Sequence, residues 1–239
     1  VHTFACFITR KAYDQIYISG AYAHLNIKLF GSDPGIKAEY NGGTHMPFDD
    51  MGIMRGLPNA IVMDVADPYM MKSVMEQMES IYGIQYVRFP RIGHRIRKLY
   101  SESTVFEIGK GIINREGKDI TIIASGLMTS EAVDAADILA QKGIEARVVD
   151  MFTCKPIDKE LIIDSARKTG YIFTVENHSI LNGLGSAVAE VLSENYPTRL
   201  KRIGIDEQFG EVGDFDYLIK RFSLSAEQIA ETILNALKK

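Results

Sequence analysis

Short apolar runs rich in β-branched residues alternate along the chain with longer segments in which apolar residues recur every three or four positions. The runs predict six strands, namely IVMDV, IQYVRF, DITIIAS, EARVVDM, GYIFTVE and RLKRIGI. The longer segments predict helices over residues 68–81, 130–141, 158–168, 186–194 and 226–237. Strands that alternate with helices favour parallel sheets with helical crossovers, so the predicted fold class is α/β.

Polar residues and glycines at the segment ends refine this prediction. Ser130 and Asp158 are the expected N-caps of two helices, and Gly143 and Gly170 are expected to end them. The alternation breaks between HRIRKLYSES and INREGKD. We therefore predict two sheet domains with mainly parallel strands, over residues 1–92 and 116–239. A connector over residues 93–115, carrying a small hairpin, joins them.

Composition excludes several classes of protein. Hydrophobic residues make up 46% and charged residues 24% of the 239 positions, which is typical of a folded globular protein rather than a disordered one. The net charge of −4 gives no reason to expect nucleic acid or an anionic membrane as a partner. Cys6 and Cys154 lie far apart, and no signal peptide or membrane-spanning run is evident, so we expect reduced thiols in a cytoplasmic protein.

The most informative stretch is GSDPGIKAEYNGGTHMPFDDMGIMRGLPN, a long glycine-rich loop that follows the predicted strand NIKLF and precedes a short helix. Ligands bind at such strand ends in open α/β sheets. A purely structural interpretation is also available, in which Asp49 and Asp50 cap the helix and Gly42 and Gly43 permit a turn. His45 differs, because a loop presents it and its unperturbed pKa lies near neutrality, at about 6.5.

GGTHMPFDDMGIMRGLPNAIVMDVADP resembles the signature of the transketolase family, and HTFACFITRKAYDQ resembles that family's pyrimidine-binding strand and helix. VENHSILNGLGSAVAEVLSE and the segment that begins IDEQFGEVGDFDYLIKRF resemble the C-terminal domain of transketolases and of 1-deoxy-D-xylulose-5-phosphate synthase. The resemblance covers nearly the whole chain. It implies a thiamine-diphosphate enzyme that transfers a two-carbon ketol unit between sugar phosphates.

The resemblance also implies roles for individual residues. Phe4, Phe7 and Arg10 occupy cofactor-binding positions, and stacking on a phenylalanine contributes roughly 0.5 to 1.5 kcal/mol beyond area burial. His45 is assigned to substrate binding and proton transfer, for which a near-neutral side chain is suited.

Four further residues are predicted to bind substrate. Asp33 and Asn41 lie on the loop, and Asn41 stands where full-length family members usually have Asp, which leaves the sugar preference open. Arg88, Arg91 and the nearby His94 lie within a few residues of each other at the end of a strand, and arginine suits phosphate oxygens. Arg91 is the better phosphate candidate, because Arg88 could equally pair with a buried carboxylate. His178 is interpreted as structural, in contact with a partner subunit or domain.

The family's diphosphate and magnesium site and its cofactor-activating glutamate are not found in this sequence. The resemblance therefore implies that an N-terminal transketolase subunit or domain holds the magnesium, and that the chain is inactive alone. We also expect a homodimer or larger assembly, because family members place their cofactor between subunits and missing N-terminal strands would leave an exposed apolar edge.

Three alternatives remain open. The chain could belong to a 1-deoxy-D-xylulose-5-phosphate synthase. It could also be the β subunit of a 2-oxo-acid dehydrogenase, although the GGTHMP loop fits that subunit less well. A non-catalytic assembly subunit is the alternative from a different class, and inactivity even with the partner would support it.

Overall fold

A computed structural model describes residues 1–91 and 97–238. Its ten strands in the described residues are β1 (His2–Phe4), β2 (Ile27–Ser32), β3 (Ile61–Asp64), β4 (Ile84–Phe89), β5 (Ile112–Arg115), β6 (Ile120–Ala124), β7 (Ala146–Asp150), β8 (Thr153–Lys155), β9 (Tyr171–Ser179) and β10 (Arg199–Ile205). The α-helices there are α1 (Tyr13–Gln15), α2 (Asp50–Arg55), α3 (Pro68–Ser80), α4 (Met128–Ala140), α5 (Lys159–Thr169), α6 (Leu184–Asn195), α7 (Phe215–Arg221) and α8 (Ala226–Leu237). Turns of π-helix (Phe7–Lys11 and Ile16–Tyr22) flank α1, and a 3₁₀ segment (Gly35–Asn41) follows β2. None of the described helices is long and apolar enough to cross a membrane.

The strands form two five-stranded sheets, which confirms the predicted α/β class. The first sheet has the order β1-β2-β4-β3-β8, and the second has the order β10-β9-β6-β7-β5. Most neighbouring strands are parallel, and the exceptions are β8 against β3 and β5 against β7. In the first sheet Phe4 pairs with Ser32, and Ser32 pairs with Phe89. The carboxyl ends of β1, β2 and β4 therefore lie at one level, where a ligand site is expected.

Several helix ends follow the sequence signals. The Asp158 side chain accepts a hydrogen bond from the Leu161 amide, and Gly170 ends α5 with a φ of 66°, so both predictions are confirmed. α8 has the predicted bounds. Ser130 is not an N-cap, because α4 begins at Met128 and the Ser130 hydroxyl donates to the Leu127 carbonyl inside the first turn.

The predicted connector differs from the structure in one respect. No hairpin forms in its described part, because β5 pairs with β7 and belongs to the second sheet. β8 lies within the residues assigned to the second domain, yet it pairs with β3 and extends the first sheet. Each sheet therefore has one antiparallel edge strand that comes from outside the segment predicted for its domain.

The two sheets also share apolar cores. One buried cluster contains Ile8, Leu29 and Met54 from the first sheet region, together with Ile172 and Val188 from the second. Because this contact is apolar and buried, moving the two sheets apart would expose apolar surface whose burial stabilises both of them.

A buried group of charges crosses the same interface. Arg88, which is fully buried, lies 2.8 Å from Asp50 and 3.3 Å from Asp64, and donates a 2.7 Å hydrogen bond to the Asn177 carbonyl. The Tyr86 hydroxyl donates to Asp50 at 2.6 Å. An Arg charge in such a place requires these partners, because taking it out of water costs several kcal/mol. The guanidinium is therefore not available to a sugar phosphate, and the predicted role of Arg88 in substrate binding is corrected in favour of pairing with buried carboxylates.

Asp64 also connects the two sheets. It accepts a hydrogen bond from the Ser125 hydroxyl at 2.9 Å, and a Cβ added at Gly126 would lie only 2.2 Å from its carboxylate. Burial raises the pKa of the Asp64 carboxyl, and the Arg88 charge opposes that shift. Asp64 therefore contacts the turn that begins α4, where a side chain at position 126 would not fit.

The neighbouring carboxylates Asp49 and Asp50 should respond very differently to substitution. Asp50→Ala leaves Arg88 with one carboxylate fewer in a fully buried site, so we expect a loss of about 3–5 kcal/mol in the free energy of unfolding. Asp49 pairs with Arg10 at 2.8 Å, but both side chains are more than a third exposed, so Asp49→Ala should cost at most about 1 kcal/mol. Urea unfolding of both variants measures the difference, and equal losses would show that burial of the pair is not decisive.

Candidate functional site

Three aromatic rings meet at the end of β1. The Phe4 and Phe7 centroids are 5.8 Å apart, and the His45 ring lies 5.3 Å from Phe4 and 5.0 Å from Phe7, all in edge-to-face arrangements. All three residues are half-buried. The structure thus brings together three residues that are up to 41 positions apart and that the sequence assigned to one site.

Cationic side chains border these rings. The Arg91 guanidinium lies 4.9 Å from the Phe4 centroid, and the Lys11 ammonium lies 4.9 Å from the Phe7 centroid. Arg10 donates to both oxygens of Asp49 at 2.8 to 3.1 Å and to the Met46 carbonyl at 3.2 Å. Arg10 therefore connects the first helical turns to the loop that carries His45.

The pair between Arg10 and Asp49 also corrects the capping interpretation. α2 begins at Asp50, but neither Asp49 nor Asp50 makes a capping hydrogen bond with its side chain. Both carboxylates are used in ion pairs with arginines instead.

The C-terminal part of the chain holds the loop in place. Met46 and Phe48 are buried in the core of the second sheet, where Phe48 contacts Phe222 edge-to-face at 5.5 Å. The Ser179 amide donates to the Phe48 carbonyl at 2.8 Å. The residues that follow His45 are thus fixed by a sheet to which they do not belong.

Glycines allow a second loop to approach closely. A Cβ at Gly43 would lie 2.3 Å from the Gly210 carbonyl oxygen, and one at Gly42 would lie 2.8 Å from a Val212 methyl group. The φ of Gly42 is 71°, a conformation that favours glycine. The glycines that precede Thr44 are thus required by packing against residues 210–212.

A cavity of about 740 Å³ opens between these two loops. The first sheet region contributes Arg10, Gly43, Thr44, Met46, Phe48 and Asp49, and the second contributes Ser179, Gln208, Phe209 and Gly210. Its volume lies in the range of small-molecule and cofactor sites. The cavity adjoins the aromatic rings, because Thr44 lies beside His45 and its hydroxyl is 2.9 Å from the His45 Nδ1.

Asp33 and Arg91 form a pair at the neighbouring strand ends. Asp33, directly after β2, is only 3% exposed, and one of its carboxylate oxygens accepts a 3.0 Å hydrogen bond from the Arg91 amide. The other oxygen lies 3.0 Å from the Arg91 guanidinium, whose side chain is 47% exposed. The Arg91 guanidinium is therefore half-exposed at the surface, and the buried Asp33 carboxylate holds it in place through the ion pair.

The other predicted residues lie apart from this pair. Asn41 is exposed, and its amide nitrogen donates to the Ala38 carbonyl at 2.9 Å within the same loop. His94 lies outside the described residues. His178 is fully buried, accepts a 3.4 Å hydrogen bond from the Gly52 amide, and has a pKa that burial lowers. This buried histidine is a contact between the two sheet regions, in line with the structural interpretation.

Sequence reasoning missed Asn177 and Glu176, two buried polar residues of β9. Asn177 bonds the loop after β2, and Glu176 accepts hydrogen bonds from the Leu184 and Gly185 amides at the start of α6. Burial raises the pKa of Glu176 to about 7. The run VENH, with three consecutive polar residues inside a buried strand, is the signal that could have drawn attention to them.

The residues of this site fit the pyrimidine end of thiamine diphosphate. Half-buried phenylalanine rings beside an open cavity offer dispersion and stacking to a flat heteroaromatic ring. In residues 1–91 and 97–238, no group of three or more His, Cys, Asp or Glu side chains is arranged to hold a metal ion.

The fold and the site define an α/β protein with two sheets and a cavity between a glycine-rich loop and the second sheet region. Comparison with protein families matches residues 1–95 to the transketolase pyrimidine-binding domain and residues 109–229 to the transketolase C-terminal domain. The chain therefore belongs to the transketolase family.

Individual relatives agree with this assignment. The chain is 45% identical to a 6-deoxy-6-sulfo-D-fructose transketolase subunit of a Clostridium species, over 95% of this chain and 70% of the relative. It is 40% identical to a putative transketolase C-terminal section of Methanocaldococcus jannaschii, over 99% and 74%. A solved structure described as a split gene transketolase, an inactive β4 tetramer, superposes with a TM-score of 0.89 at 39% identity, covering 98% of this chain and 74% of that one.

A methyl group at position 43 should displace the loop that carries His45. Gly43→Ala places a Cβ against the Gly210 carbonyl, so we expect a loss of about 1–3 kcal/mol in the free energy of unfolding and a shifted His45 ring resonance in NMR spectra. Gly56→Ala is the matched control, because a Cβ there meets no atom closer than 3.4 Å. If both variants unfold at the same urea concentration and the His45 resonance stays in place, the contact does not set the loop.

Proposed function

We propose that this chain is the C-terminal part of a thiamine-diphosphate-dependent transketolase, which transfers a two-carbon ketol unit between sugar phosphates together with an N-terminal partner. The cluster of Phe4, Phe7 and His45 beside a cavity is the observation that carries the proposal. The 45% and 40% identity to proteins named as a subunit and as a C-terminal section supports the split arrangement.

Each residue of the site has a role in this proposal. Phe4, Phe7 and Arg10 hold the pyrimidine end of the cofactor. The cofactor as a whole would supply the electron sink when it is bound. His45 hydrogen-bonds the substrate and moves a proton to or from its reacting oxygen. Asn41 contacts sugar hydroxyls, and Arg91 binds the anionic end of the substrate while Asp33 supports it.

In this proposal the partner supplies the ligands of the diphosphate and of magnesium. Exposed apolar residues support a contact beside the site, since Phe209 is 94% exposed and Val212 is 65% exposed. Tyr17, Ile18 and Tyr22 form a second exposed apolar group along the first helical segment. We propose that this second group contributes to a homodimer or larger assembly of a cytoplasmic enzyme.

The substrate's anionic end has two candidate chemistries. The arginine at position 91 suits a phosphate, and it equally suits the sulfonate named in the Clostridium relative. 1-Deoxy-D-xylulose-5-phosphate synthase is the second candidate function, supported by 35% identity to the enzyme of Heliobacterium modesticaldum, of which the chain covers only 34%.

Activity with a partner tests the proposal. The chain is mixed with an N-terminal transketolase subunit, thiamine diphosphate and magnesium, and assayed with ketose phosphates, 6-deoxy-6-sulfofructose and pyruvate as donors and with aldose phosphates as acceptors. We expect ketol transfer from a ketose donor and none from the chain alone. Turnover of pyruvate only would favour the synthase, and a stable complex without any turnover would favour an assembly subunit.

A histidine substitution separates chemistry from folding. His45→Asn removes the proton-transferring group, so we expect kcat to fall by about 10² to 10⁴ with an unchanged unfolding temperature. His24→Asn is the control, because His24 lies before β2, at the opposite end from Asp33, and its φ of 53° suits asparagine. An equal, small effect of both substitutions would argue against a catalytic His45.

A further inference from the structure

The loop after β2 is bonded to the second sheet by the Asn177 side chain. The Asn177 Nδ2 donates to the Pro34 carbonyl at 2.9 Å, and its Oδ1 accepts from the Ile36 amide at 3.0 Å. Asn177 is 1% exposed, so these bonds are shielded from water. Both polar atoms of this side chain are thus used on a segment more than 140 positions away in sequence.

The conformation of this loop depends on the contact. Asp33 and Gly35 have φ values of 55° and 54°, a region that costs a residue other than glycine of order 1–3 kcal/mol. A Cβ at Gly35 would lie only 2.1 Å from the Asn177 Oδ1. The loop is held in an uncommon shape by a side chain that fits against a glycine.

The shape of the loop in turn sets the position of Arg91. The Asp33 carboxylate accepts a hydrogen bond from the Arg91 amide and lies 3.0 Å from the Arg91 guanidinium. That guanidinium lies 4.9 Å from the Phe4 ring centroid. A shift of Asp33 would therefore move the cation relative to the aromatic rings.

We propose that Asn177 is a positioning residue, which acts through residues 33–36 to fix Arg91 as the receptor for the anionic end of the substrate. This inference rests on the proposed function. It gives the C-terminal domain a part in substrate selection, although both polar atoms of the Asn177 side chain are bonded to the loop after β2. The Asn177 carbonyl that accepts from Arg88 belongs to the main chain, so substitution of the side chain leaves that bond available.

Hydrogen exchange in the complete complex tests the contact itself. In Asn177→Ala the Ile36 amide loses its acceptor, so its exchange should become at least about tenfold faster, the effect of one lost hydrogen bond. Asn114→Ala is the control, because Asn114 is partly buried in β5 and bonds to Tyr100 instead. Unchanged exchange at Ile36 in Asn177→Ala would overturn the inference.

Kinetics test the link to substrate selection. With the acceptor identified by the activity assay, Asn177→Ala should raise KM about tenfold for the phosphorylated sugar and leave KM for its phosphate-free counterpart and kcat within about twofold. In an Arg91→Ala background the same substitution should no longer change this selectivity. Equal effects on both sugars, or additive effects of the two substitutions, would show a general structural role and overturn the proposal.

A pair of glycine substitutions provides a second route that leaves Asn177 intact. Gly35→Ala should reproduce the selectivity loss, whereas Gly143→Ala, also at positive φ but with no atom within 4 Å of its Cβ, should not. Equal behaviour of the two variants would overturn the inference. Absence of ketol transfer by the unmodified complex would refute the proposed function and the receptor role together, and exchange at Ile36 would still report whether Asn177 holds the loop.

Discussion

The buried charge of Arg88 is the constraint on which the rest of the structure depends. Its guanidinium hydrogen-bonds Asp50 after the His45 loop and the Asn177 carbonyl in β9, and its Nε lies 3.3 Å from Asp64 at the end of β3. Because an unpaired charge in this environment would cost several kcal/mol, these three elements are held at fixed distances. One buried charge thereby connects the start of α2, the first sheet and the second sheet.

The two sheet regions divide the work between them. The first carries the side chains that we propose to face a ligand, namely Phe4, Phe7, His45 and Arg91. The second buries Phe48, places the Gly210 carbonyl against Gly43, and hydrogen-bonds the loop after β2 through the Asn177 side chain. The second sheet region therefore fixes loops of the first, because a loop has no regular hydrogen-bonding pattern to fix its own position.

Elements with a strong period were predictable, and short paired segments were not. α3, α5 and α8 follow from apolar residues at helical spacing and from their end signals. β5 and β8 have only four and three residues and run antiparallel to a neighbour, so their stability comes from pairing with distant strands. In the site, the resemblance to the family assigned Phe4 and Phe7 to one cofactor-binding position, and their rings do lie together. The pairing of Arg88 could not be predicted in this way, because the fold brings Asp50 and Asp64 to it from distant segments.

The sequence by itself determined the α/β class, the glycine-rich loop with His45, and the resemblance to transketolases, because periodicity and a long ordered motif are local properties of the chain. Only the tertiary structure decided which arginine is buried and which is half-exposed, since Arg88 and Arg91 are three positions apart and chemically identical. It also decided that Asn177 holds the loop after β2. Burial and partner distance are set by elements far apart in sequence, and these two quantities separate a residue that stabilises the fold from one that can meet a ligand.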